Sequence, residues 1–92
     1  MPLPDLIQAI QNTTLTLASA IAETARNEAA YQRRFWSTWQ KVPEDWSIAA
    51  ANRACEQDCS ALDEERILSR ALVESLTVRR DSMIAIMRAR TP

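Results

Sequence analysis

The sequence predicts an all-α protein built as a long helical hairpin, and three observations carry that expectation. The 92 residues include no glycine, and their four prolines stand at positions 2, 4, 43 and 92. Fifteen of the residues are alanine, the strongest helix former. Glycine supplies the left-handed backbone of tight turns and helix C-caps, and about six would be usual at this length. A chain without it, and with one interior proline, has turn chemistry for very few reversals.

The first arm is expected as a helix over about 5–41. At 100° per residue, Leu6, Ile10, Leu17, Ile21, Tyr31, Phe35, Trp39 and Val42 fall within an arc of about 80°, the pattern of an amphipathic helix. Such a helix is about 54 Å long. Thr13, Thr24 and Glu28 interrupt the apolar side and either meet a polar partner group or mark looseness. The spacing reads as 3.6 rather than a strict heptad, which argues against a two-stranded coiled coil.

The turn is placed at Pro43. Proline disfavours helical geometry in the residue before it and suits the first helical position. Glu44 and Asp45 would then complement the dipole of a second helix starting there. In the second arm Ile48, Ala51, Cys55, Cys59 and Leu62 define one face. Leu68, Leu72, Leu76, Met83 and Met87 define another, turned by about 80°. This predicts a break near Ser60, with Ser60 and Asp63 resembling a capping start. The arm reads as a short helix over about 43–58 and a long one over about 61–90, with one bent helix as the alternative. Leu17, Ile21, Phe35, Leu68, Leu72 and Leu76 are the expected core.

Length fits a single all-helical domain, 1–92, and a thin core: Leu, Ile, Val and Phe make 19 of 92 residues, near the floor for an ordered globular chain. A chain of this size buries only about 60–65% of its unfolded surface. Two long helices packed only on each other leave their apolar stripes partly uncovered. Self-association into a helical bundle, or a constitutive protein partner, is therefore expected, with Leu17, Ile21, Leu72 and Leu76 at the shared core.

Net charge is −1, but it is unevenly spread: +1 over 1–43, −5 over 44–78 and +3 over 79–92. The uncharged stretch Leu6–Ala22 is too polar and slightly too short to cross a bilayer. No basic segment precedes an apolar run, so the expected location is cytoplasmic.

Chemistry finds little footing. There is no histidine, which removes the commonest general base, and phosphate-cradling loops need glycine. Cys55 and Cys59 share a helical face, but zinc needs four ligands, and an i, i+4 disulfide within a helix is geometrically awkward. Core packing is the better account of both. No enzyme, metal or cofactor is expected.

Tyr31, Phe35, Trp36, Trp39 and Trp46, all the aromatics of the chain, cluster around the turn. Tryptophan is enriched at binding hot spots, so Trp36, Trp39 and Trp46 are candidate partner contacts; packing at the hairpin end is the plainer account of most of the rings. Arg26, Arg33, Arg34 and Lys41 form a stripe behind the apolar face. A second reading gives these four a nucleic-acid backbone contact; a solvated face is the plainer one. The leading expectation is a small non-enzymatic interaction or assembly module: an adaptor, inhibitor or accessory subunit.

Overall fold

The computed structural model describes residues 1–91, and three helices account for most of them: α1 (Leu3–Trp39), α2 (Ile48–Asp58) and α3 (Ser60–Arg90). The chain reverses once. α1 packs along α3 for most of its length, while α2 covers the part of α1 nearest the turn. The rod measures 68 × 18 × 16 Å with a radius of gyration of 20.0 Å. A compact chain of this length would have a radius of about 12 Å, so the molecule is extended.

α1 begins with Pro4 in its first turn, where the missing N–H costs nothing. Its last turn tightens, with Lys41 N–H donating to the Thr38 carbonyl and Val42 N–H to that of Trp39. Pro43 then forbids continuation. It does not start the next helix, which corrects the expectation. Pro43 opens a turn closed by the Trp46 N–H on its carbonyl at 3.2 Å, and Glu44 and Asp45 lie inside that turn. α2 starts at Ile48, capped by Ser47, whose Oγ accepts from the Ala50 N–H at 3.1 Å. A serine cap that satisfies an otherwise orphaned donor outweighs the proline signal.

The break in the second arm falls at Cys59, one residue before the expected place. Its backbone (φ −96°, ψ 6°) departs from helical values, yet the hydrogen-bond ladder passes through it. The Cys59 N–H reaches the Cys55 carbonyl, and the Asp63 N–H reaches that of Cys59 at 2.8 Å. Ser60 lies inside α3 as its first residue, the cap position falls to Cys59, and no side-chain capping bond is made there. The arm is two helices joined by a one-residue kink.

The buried seam follows a spacing that the apolar pattern hides. On α1 the covered positions include Leu6, Ile10, Thr13, Leu17, Ala20, Thr24, Asn27 and Tyr31; on the second arm they include Cys55, Cys59, Leu62, Arg66, Ser69, Val73, Leu76, Arg80 and Met83. Both runs alternate steps of four and three, the heptad spacing of a coiled-coil seam. The 3.6 reading missed it because the seam is partly polar. Cys55 and Cys59 are both 0% exposed and free, as core residues.

The expected core is corrected accordingly. Leu17 is buried, and Phe35 and Leu76 are half-buried, but Ile21 (52%), Leu68 (62%) and Leu72 (52%) are exposed in the single chain. α3 turns its Leu62–Ser69–Val73 side to α1, because Arg66 and Ser69 find polar partners there and Leu68 and Leu72 then point away.

Those partners form a belt across mid-rod. Asn27 donates to the Ser69 hydroxyl at 2.5 Å, and Ser69 donates to the Glu65 carbonyl at 2.8 Å. Glu28 pairs with Arg66 at 3.5 Å and with Arg70, and Arg66 also bonds Asp63. The Arg66 guanidinium lies 3.9 Å from the centre of the Tyr31 ring, a cation–π contact. Thr24 returns its hydroxyl proton to the Ala20 carbonyl at 2.9 Å. Two of the three polar interruptions noted in α1, Thr24 and Glu28, thus have partners.

Leu17→Ala should lower unfolding stability by about 2–5 kcal/mol, read by urea denaturation with the transition slope unchanged. Ser47→Ala should cost about 0.5–2 kcal/mol, whereas Asp45→Lys, outside any helix, should leave the midpoint nearly where it was.

Candidate functional site

The candidate site is surface, and it has two parts: the aromatic turn end and the exposed apolar flanks of the rod.

The turn end is assembled by the last two turns of α1. Phe35 lies between three rings, with centroids 6.0 Å from Tyr31, 5.5 Å from Trp36 edge-on and 6.4 Å from Trp39 stacked; Trp36 and Trp39 meet edge-on at 6.1 Å. These are favourable offset and T-shaped geometries. Trp36 (54%) and Trp46 (48%) remain about half exposed, while Trp39 is half-buried. Trp39, Val42, Pro43, Trp46, Ile48 and Ala51, with Glu44 at its edge, line an open cavity of about 280 Å³. Of the three tryptophans, Trp39 and Trp46 share this cavity, and Trp36 stands outside its lining.

A bidentate ion pair ties the end of α2 to α1. Arg34 Nε and Nη2 donate to the two carboxylate oxygens of Asp58 at 2.7 and 3.0 Å, and the Thr38 hydroxyl bonds the same carboxylate. These bonds from Arg34 and Thr38 hold the Asp58 carboxyl down at about 2, from an ordinary 3.8. Nearby, burial pushes the Cys55 and Cys59 thiols up, with Asp58 adding to the effect. Both sulfurs therefore stay protonated and poorly nucleophilic.

The basic stripe is less free than its sequence implies. Arg34 is committed to Asp58, and Arg26 pairs with Glu23 at 2.6 Å. Arg33 and Lys41 are exposed and have no ionic partner among the described residues. Among the same residues no group of three or more Cys, Asp or Glu could hold a metal ion, and no helix is long and apolar enough to cross a membrane.

The apolar flanks lie on either side of the seam. On α1, Ile7, Ile21 and Trp36 are exposed, on the side where Glu28 meets Arg70; on α3, Leu68, Leu72 and Ile86 are exposed, on the side where Ser69 meets Asn27. Of the four residues expected at a shared core, Leu17 is spent within the chain, Leu76 is divided between seam and flank, and Ile21 and Leu72 are available. The exposure of the α3 flank was missed because hydropathy alone cannot say which side of a helix its neighbour takes.

Comparison with protein-family models, with curated proteins and with solved structures finds no match to this chain.

Asp58 makes stability depend on acid. Its carboxyl is depressed in the folded chain, so the stabilisation is complete above its unfolded value and disappears as pH falls from about 4 to about 2. Asp58→Asn should flatten the fall in thermal midpoint across that interval relative to the native chain, as followed by circular dichroism.

Proposed function

We propose that the chain is a small non-enzymatic association module, an adaptor, inhibitor or accessory subunit whose activity is the surface it offers to another protein chain. One observation carries this reading. The accessible surface is 6645 Å², whereas a compact monomer of 10.4 kDa exposes about 5400 Å². The excess of about 1200 Å² matches one partner's share of a substantial protein interface. It is apolar in the places that matter, since Ile7, Ile21, Trp36, Leu68 and Leu72 all stand exposed. Large apolar side chains left exposed along both flanks suit interaction sites in soluble proteins, and exposed tryptophan adds the residue type most often found at hot spots.

The non-enzymatic half of the reading rests on the missing histidine and on how the polar side chains are used. Arg34, Arg66, Arg70, Asp58 and Glu28 are all spent holding helices together. No cofactor enters the reading.

The test is affinity capture from the native host with the full chain, run beside a Trp36→Ala/Ile21→Ser variant. Both substitutions are at exposed positions, so helicity should be unchanged. The expected result is a stoichiometric protein, a second copy or another chain, held by the native form and lost by variants of the surface it uses. A chain that sediments at 10.4 kDa and retains nothing in a variant-sensitive way would contradict the reading.

A further inference from the structure

The exposed flank of α3 is its own complement under a two-fold rotation. At 100° per residue, Glu65, Leu68, Leu72, Leu76, Arg79 and Met83 fall within about 80° of arc. Leu68 and Leu72 are more than half exposed, and Glu65 and Arg79 are exposed beside them. Neither of these two charges has an ionic partner among the described residues. Leu72 is the midpoint of the pattern. Four residues to either side stand Leu68 and Leu76, and seven to either side stand Glu65 and Arg79, each about 10.5 Å along the axis from Leu72.

We propose that two copies of this chain pair through α3, antiparallel, with the two-fold axis at Leu72. Leu72 then meets its counterpart, each Leu68 meets the partner's Leu76, and each Glu65 meets the partner's Arg79. The charge distribution selects this orientation. Within α3, residues 60–65 carry −3 and residues 79–84 carry +1, and an axis at Leu72 lays the first stretch of one copy along the second stretch of the other. A parallel pairing would set Glu65 against Glu65 and Arg79 against Arg79, and like charges brought together disfavour it. An isologous contact of this kind closes on itself, so it yields a dimer and not a filament. It leaves the Ile21 and Trp36 side of α1 uncovered. The inference rests on the association reading above and deepens it by naming the partner as a second copy.

Sedimentation equilibrium of the full chain decides it, with helicity checked by circular dichroism. The native chain should have twice the mass of 10.4 kDa at micromolar concentration. Leu72→Gln, at an exposed position, should keep its helicity and weaken the dimer on the order of tenfold or more. Glu65→Arg and Arg79→Glu should each weaken it on the order of tenfold, and the double variant Glu65→Arg/Arg79→Glu, which restores opposite charges across the axis, should recover the native dissociation constant. A dimer indifferent to Leu72→Gln, or single charge variants without recovery in the double, would overturn this pairing and leave the association reading standing on another surface. A folded native monomer would also overturn it, and the association reading would then rest on the capture experiment alone.

Discussion

A helix in a two-helix hairpin has one neighbour, and that constraint organises everything else in this molecule. An amphipathic helix in a globular protein commonly buries a face at least 100° wide, but one neighbour covers only a narrow seam. The seam here is set by alternating steps of four and three, and Ile21, Leu68 and Leu72, each one position off it, stay in water despite their hydropathy. Alanine, threonine and cysteine fill much of it, so the helices approach along a line of modest volume. Stability spread so thinly leaves little margin for the loss of any large side chain.

A narrow apolar seam also has little to stop it from sliding by one heptad. The polar belt around Arg66 supplies that stop. Glu28, Asn27 and Tyr31 of α1 present a carboxylate, an amide and a ring face, and Arg66, Ser69 and Arg70 answer them from α3. Displacing α3 by seven residues would strand these groups against apolar neighbours, and an unpaired polar or charged group in such surroundings is costly. Polar residues at seam positions are the best-attested device for fixing register, at some expense in stability. The kink at Cys59 and the Arg34–Asp58 pair hold the other end, where α2 keeps the two cysteines covered.

What the amino acids disclosed and what they hid divides along a physical line. The single reversal at Pro43, the length of each arm, the break near Ser60 and the burial of Cys55 and Cys59 all follow from local preferences, and all were legible. So was the clustering of tryptophans at the turn. The side of α3 that faces α1 was not. Leu68 and Leu72 outrank Arg66, Ser69 and Arg80 on any hydropathy scale, and only residues some forty positions away on α1, such as Asn27 and Glu28, decide the matter. The helix start at Ser47 was hidden for a related reason: Pro43 with two acids behind it is also a good start, and the turn geometry chose between them. For the surface, the sequence offered Trp36, Trp39 and Trp46 as partner contacts, and the structure leaves the first and last about half exposed and Trp39 half-buried, while the commitment of Arg34 to Asp58 across the turn could not be read from spacing.

The single reversal also orders the chain in time and in looseness. Partners across the rod are 20 positions apart in sequence at Thr38 and Asp58, 38 at Glu28 and Arg66, 42 at Asn27 and Ser69, and 89 at Met1 and Arg90. Closing a loop costs entropy that grows only with the logarithm of its length. The contact near the turn therefore bears most of the closure cost, and each later one adds little once its predecessor is made. The rod behaves as a zipper with its slider at the turn. Protection against amide hydrogen exchange should fall progressively along both arms toward the end where Arg90 holds the Met1 carbonyl, because that end can open without disturbing anything nearer the turn.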